Sequence, residues 1–400
     1  MTQADRLVLL RLLRATVQGA LVVDFALYLR GLDWDGRSIG MLLATSLAAG
    51  LAMTAVAGPV SDRIGRRGLM LGFHALLAVA AILALVADDI TLVVAAVLAQ
   101  YGRSSNGSAG PFGPVEQAWL ADLTPAPERR RQFARNSAAG FLGMAIGGLL
   151  AAVAPVRIVF LAALLISLVG AAIVATLPDP VRPAATRRKP EPPSPMERKK
   201  LRRLAFANTL LGLGTGLTGP MLAYWFALRF GHGPASIGPV IAASFAAAAG
   251  ASVLAARMAE RVGTLPVVIG MRLAGLAMLL ALPFAPGFAA AAALTVLRSL
   301  CNRGTNGTRQ ALSVSLVGDT RRGAAAALNT LSLALPRVAG PAIAGAMFAA
   351  GYVRAPFLLA AGFQAAYLAV YAWSFRDEPA ARPVARMPPA QPETAPQQAG

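Results

Sequence analysis

Eight charged residues sit inside stretches that are otherwise apolar: Asp24, Arg103, Glu116, Arg272, Arg298, Arg303, Arg309 and Arg337. A charge at the centre of a lipid-solvated helix costs roughly 2.5–3.5 kcal/mol, so each asks for a partner or a wet cavity. Arg272 lies within about two turns of a segment end and is expected to snorkel to the headgroups. The other five arginines face only two carboxylates, which leaves a positive interior. The densest pattern runs from 298 to 313. At about 100° per residue, Arg298, Asn302, Arg303, Thr305, Asn306, Arg309, Gln310 and Ser313 share an arc of about 160°. The opposite face is mostly small or apolar: Leu300, Cys301, Gly304, Gly307, Ala311 and Leu312, with Thr308. Such an arc either lines water or packs as a polar seam. No nucleophile–base set, metal-ligand cluster or phosphate-binding Gly-rich loop is visible, so neither an enzyme, a cofactor nor an ATP-driven machine is expected. The lone cysteine, Cys301, excludes an internal disulfide, and His74 and His232 are far apart.

The elements that must hold these residues are read from hydropathy. The 400 residues are 56% hydrophobic and 14% charged, with a mean hydropathy of +0.59. A soluble domain is nearer a quarter charged, so lipid must solvate most of this chain. Twelve apolar segments follow: 12–30, 39–59, 68–87, 91–121, 135–154 and 157–177, then 204–228, 236–256, 265–283, 288–317, 323–349 and 354–375. Segments four, ten and eleven exceed what a bilayer of about 30 Å needs and should tilt, kink or protrude. Pro111 and Pro114 are expected to kink the fourth. The net charge of +19 is not a nucleic-acid signal, because the cations collect at segment ends and no basic–aromatic interleaving accompanies them. Of 37 Lys and Arg, only Arg30, Arg37, Arg157, Arg229 and Arg354 fall on one side of the membrane by this count. The positive-inside bias therefore places both termini in the cytoplasm, in a cell (inner) membrane.

The chain also repeats. Asp62-Arg63-Ile64-Gly65 returns as Glu260-Arg261-Val262-Gly263, Arg103-x-x-Asn106-Gly107 as Arg303-x-x-Asn306-Gly307, and Gln117-Ala118 as Gln310-Ala311. The last two spacings disagree by about two helical turns, so segments four and ten do not align end to end. The expected organisation is a six-helix bundle at 1–177, a basic, proline-rich linker at 178–203, a second bundle at 204–375 and a disordered tail at 376–400.

The basic knot between segments two and three is Gly58-Pro59-Val60-Ser61-Asp62-Arg63-Ile64-Gly65-Arg66-Arg67-Gly68. It resembles the signature loop of the major facilitator superfamily at every fixed position: Gly58, Asp62, Arg63, Gly65, Arg66 and Arg67. Arg103 to Gly107 resembles the arginine motif of its drug–proton antiporter branch. Gly143, Gly147 and Gly148 resemble that branch's glycine-rich motif with Met144 in place of proline, and Gly340, Pro341 and Gly345 form a fuller version.

The resemblance implies an all-α membrane protein of twelve helices in two pseudo-symmetric bundles that rock about a central site. It implies a monomeric, proton-coupled exporter of a small molecule, with Asp62 latched near the start of helix eleven. The arginine excess suggests an anionic or zwitterionic substrate, so an organic-anion symporter or exchanger stands beside it, and a non-transporting membrane sensor or lipid-handling protein beside both. Arg103 serves substrate or proton coupling, or binds backbone carbonyls. Asp24 carries the coupling proton, pairs with Arg103 or Arg337, or simply neutralises one arginine. Glu116 and Arg309, pseudo-equivalent and opposite in charge, are expected to pair across the halves when the cytoplasmic side is shut, unless Glu116 faces water near the headgroups. Gln117 and Gln310 are assigned to the same cavity.

Overall fold

The computed structural model describes residues 2–102, 110–179, 194–315 and 322–376, with side chains at all of these except 62, 126, 130, 311–315 and 322–326. These residues form sixteen α-helices and no strand. The first half holds α1 (Gln3–Gly31), α2 (Gly36–Ile64), α3 (Arg66–Val86), α4 (Asp89–Ala99), α5 (Phe112–Leu123), α6 (Arg129–Val153) and α7 (Val156–Ala175). The second holds α8 (Pro195–Thr218), α9 (Leu222–Phe230), α10 (Pro234–Val262), α11 (Thr264–Ala281), α12 (Phe288–Gly304), α13 (Asn306–Ser315), α14 (Arg322–Arg337), α15 (Ala339–Ala349) and α16 (Ala355–Phe375). Eight helices among the described residues are long and apolar enough to cross a membrane.

The twelve apolar segments become sixteen helices because four of them are broken. Segment four divides into α4 and α5; Gln100 ends α4 in the left-handed region at φ 56°, and Pro111 caps α5. Pro111 and Pro114 thus sit at a helix start, where a missing N–H costs nothing. Segment ten divides at Thr305, and segment eleven at Val338, just before the first turn of α15, where Pro341 has no N–H to give to the Arg337 carbonyl. Segment seven divides at Gly219-Pro220-Met221, which its length did not suggest. At the two ends of the stretch read as a linker, Asp179 accepts a hydrogen bond from Arg67 N at 3.1 Å, and α8 starts at Pro195 with a Ser194–Glu197 capping box. Residues 180–193 and 377–400 lie outside the described residues.

Outward faces are apolar, as lipid requires. On α7, Ile158, Leu161, Leu165 and Leu168 are exposed while Val159, Phe160, Ala163, Ser167 and Val174 are buried, about half a helical turn out of phase. The internal repeat is visible in the backbone. α2 turns into α3 at Gly65 (φ 83°, ψ 156°), and α10 turns into α11 at Gly263 (φ 98°, ψ 154°). A left-handed turn residue at both sites explains why each echo of the loop carries glycine there.

The halves meet chiefly through α6 against α10 and α2 against α15. Gly148 of α6 abuts Gly238 and Ala242 of α10, and Gly40 of α2 abuts Pro341 and Gly345 of α15. Each joint is at the helix end remote from Gly65 and Gly263. The Arg30 guanidinium, 5.8 Å above the Tyr224 ring, adds a contact between α1 and α9. The halves are therefore joined at the face opposite the signature loop. Gly143 and Gly147 instead pack against α1, and Gly340 against Gly216 of α8, inside their own halves.

Candidate functional site

Three of the four helix breaks converge on one cavity. The α8–α9 break brings Gly219 and Leu222, the α12–α13 break brings Asn302, Arg303 and Asn306, and the α14–α15 break brings Arg337. Interrupted helices at membrane depth are tolerated where they line a hollow that can satisfy the freed backbone groups. The cavity measures about 80 Å³, and Arg272, Arg298 and Arg309 complete a set of five guanidinium groups around it. Asn302, Arg303, Asn306, Arg298 and Arg309 all belong to the polar arc read from the sequence.

Each arginine is held differently. Arg272 of α11, 3% exposed, donates from Nε to Thr305 Oγ1 at 3.2 Å. Its Nη2 donates to the Asn302 carbonyl at 3.2 Å and to Asn306 Oδ1 at 3.1 Å. Its guanidinium stands 5.4 Å from the Tyr367 ring centre. Snorkelling is therefore wrong for Arg272: it is a buried strut across the α12–α13 break. Arg298 Nη2 donates to Thr218 Oγ1 at 3.1 Å, and Arg309 Nη1 donates to Asn208 Oδ1 at 2.9 Å. Arg303 lies 4.2 Å over the Phe245 ring. Yet Arg298 Nε, Arg303 Nη1, Arg309 Nε and Arg337 Nε are buried with no acceptor among the described residues. The described carboxylates of this half, Glu197 and Glu260, lie at helix ends. A cluster of buried cations with spare donors and no anion beside it among the described residues creates a demand for one from outside.

The lining residues all belong to the second half. Asp24, Glu116 and Gln117 are not among its lining residues. Asp24 is 3% exposed on α1, and its Oδ2 has no partner among the described residues; Arg337 does not reach it. Gln117 and Gln310 are exposed. Arg103 and Asn106 lie outside the described residues, as does the side chain of Asp62.

Glu116 does not pair with Arg309. It forms a buried ion pair with Arg14 of α1 and accepts from Asn136 Nδ2 of α6 at 2.7 Å. Arg14 and Arg11 are 9% and 4% exposed on α1, which starts at Gln3, well before residue 12. A second cavity of about 70 Å³, within the first half, is lined by Arg11, Arg14, Gln18 and Gln100 among others. In the second half Asn208 takes the place of Arg14: its Nδ2 donates to Asn329 Oδ1 and Ser332 Oγ, both at 3.0 Å, while its Oδ1 receives Arg309. Arg14, Glu116 and Asn136 thus correspond to Asn208, Arg309 and Asn329 at spacings of 194, 193 and 193. The repeat was legible in Gln117-Ala118 and Gln310-Ala311; the triad was not.

The signature loop is tied to its own half. Arg66 forms an ion pair with Asp122 and donates to the Ala118 carbonyl of α5 at 2.8 Å. Arg63, Glu260 and Arg261 are exposed, and Gly58 has open space around it.

Two bundles of related helices, hinged by glycine contacts at one face and holding a charged cavity between broken helices, are the architecture of a secondary transporter. The chain belongs to the major facilitator superfamily, whose family model matches residues 7–205 and 204–396. Solved structures of similar fold include a point mutant of the nucleoside transporter NupG, at TM-score 0.73 and 14% identity, covering 94% of this chain and 100% of that one. A bacterial homologue of the human lysosomal transporter Spinster, in an inward-facing and occupied conformation, aligns at TM-score 0.70 and 14% identity over 97% and 98%. The human organic anion transporter MFSD10 aligns at 0.66 and 19% identity over 92% and 98%. An uncharacterised membrane protein of Saccharomyces cerevisiae is 23% identical over 124 residues, 31% of this chain and 28% of its own length.

Proposed function

We propose that this protein is a monomeric secondary active transporter that exports a small anionic solute across a cytoplasmic membrane, coupled to protons, by alternating access. The observation that carries the reading is the set Arg298, Arg303, Arg309 and Arg337, each with a buried nitrogen lacking an acceptor among the described residues, around one cavity with no carboxylate among its described lining residues. Such a site binds an anion because the alternative is cations left uncompensated in low dielectric. The Lys and Arg distribution supports placing both termini in the cytoplasm, so that joints at the opposite face make this an inward-facing arrangement. Support for proton coupling comes from Asp24, a buried carboxylate with an unpartnered oxygen. Support for export comes from the antiporter-like motif at 103–107.

Proteoliposomes holding the purified protein test this directly. Counterflow of labelled organic anions is expected, driven further by an imposed pH gradient and absent for organic cations. Cation transport with no anion counterflow sinks the reading.

A further inference from the structure

We infer that the arginine cavity of the second half is built for the doubly charged phosphate of a small phosphomonoester rather than for a lone carboxylate; this rests on the reading of that cavity as the substrate site. The five guanidinium groups divide by role. Arg272 spends its Nε and Nη2 on Thr305, Asn302 and Asn306 and so positions the α12–α13 break. Arg298, Arg303, Arg309 and Arg337 each retain a buried nitrogen without an acceptor among the described residues. A carboxylate brings one charge and two oxygens, which leaves this set under-satisfied in both charge and acceptors. A phosphomonoester brings a charge of about −1.5 to −2 near neutral pH and three strong acceptor oxygens, and guanidinium forks match them in pairs.

Size and lining agree. About 80 Å³ accommodates on the order of five to eight water-sized probes, enough for a phosphoryl group with a few waters and too little for a drug-sized ring system. The apolar part of the wall is Leu211, Leu222, Ile241 and Leu333, which suits a short carbon chain next to the charged group. No aromatic side chain lines the cavity among the described residues, so they offer a flat heterocycle no stacking surface there.

The same phosphate could come from a soluble ester or from a lipid headgroup. Binding to the purified full chain is measured by thermal shift with glycerol 3-phosphate, inorganic phosphate, succinate, lactate and micellar lysophosphatidic acid, at pH 5.5 and 7.5. Glycerol 3-phosphate is expected to stabilise the protein, and to bind about fourfold more tightly at pH 7.5, where its second ionisation near 6 is complete. Lactate is expected not to compete at a tenfold excess. R303Q and R337Q should each weaken binding at least tenfold, and R303K, which keeps the charge but not the fork, should weaken it less. Stabilisation by lysophosphatidic acid alone supports the same chemistry with a lipid as its source. Lactate or succinate binding as tightly as glycerol 3-phosphate overturns the phosphate inference and leaves the anion site standing. If no anion stabilises the protein, or R303Q, R337Q and R303K all bind like the parent chain, both readings fall.

Discussion

Glu116 is bound by Arg14, a residue of its own half, while Arg309, its counterpart by repeat, is bound by Asn208. The two halves thus hold one three-residue cluster each, on corresponding helices, with the charge moved from one corner to another. In the first half the arginine sits on α1 and its anion on α5; in the second the arginine sits on α13 and the α8 corner is neutral. The first cluster is an internally compensated pair, and the second leaves its cation available.

Removing one member of the first cluster leaves the other uncompensated. The Glu116 and Arg14 side chains are 1% and 8% exposed. Glu116→Gln should therefore destabilise the protein by roughly 3 kcal/mol, since a buried charge loses its partner. Replacing both, Glu116→Gln with Arg14→Gln, should recover much of that loss. Thermal unfolding in detergent reads both; a double variant no more stable than the single one contradicts the pairing.

Closure of the loop face should exchange partners. With the halves joined at the opposite face, Glu116 and Arg309 are each held within their own half. Their opposite charges on pseudo-equivalent helices suit a cross-half pair in the alternate state. Glu116→Gln and Arg309→Gln should each slow transport and favour the state open at the loop face. Distances between spin labels on α5 and α13 measure the populations. The gate is refuted by two variants that leave transport and its pH profile unchanged.

The glycine joints should be intolerant of bulk in one direction only. A side chain at Gly148 meets the backbone of Gly238 and Ala242, and one at Gly40 meets that of Pro341. Gly148→Val or Gly40→Val should destabilise the present closure by about 1–3 kcal/mol and shift the population toward opening at that face by about 5–150-fold. Reaction of a water-soluble thiol reagent with a cysteine placed on the facing end of α15 reports the shift. Unchanged accessibility counts against these joints as the closed gate.

Asp24 separates coupling from binding. It is absent from the arginine cavity, and its Oδ2 is without a partner among the described residues. Asp24→Asn should abolish acceleration by a pH gradient while anion counterflow at equal pH persists. Loss of counterflow as well would assign Asp24 to the substrate site or to folding.

At the membrane surface, Asp35 caps α2 by accepting from Ser38 N at 2.8 Å. The Ser38 hydrogen bonds, chiefly, hold its carboxyl below the ordinary value of 3.8. A depressed folded value means the cap's contribution is complete above the unfolded pKa and fades as pH falls through the folded one. Hydrogen exchange in the first turn of α2 should therefore accelerate, relative to the intrinsic rate, below about pH 4. The Asp35→Asn variant should not show that change.

Chain order alone carried the lipid-solvated class, the helix-forming stretches, the loop at 58–68 with its echo at 260–263, and the polar arc of 298–310. These are local or periodic features, and hydrophobic burial in a bilayer obeys length and period almost regardless of tertiary context. Three of the four breaks were foreshadowed by excess length, but Gly219-Pro220 sits in a stretch of ordinary length and gave no such sign. The arrangement of charge was decided in three dimensions. Arg14 and Glu116 are 102 residues apart and Arg272 and Asn306 are 34 apart. Hydropathy treats each such residue as an isolated cost, whereas its actual energy is set by a partner on another helix. Only the packing of the helices could turn Arg272 from an apparent headgroup anchor into a buried strut, bury Arg11 and Arg14 with it, and gather five guanidiniums in one half of the molecule.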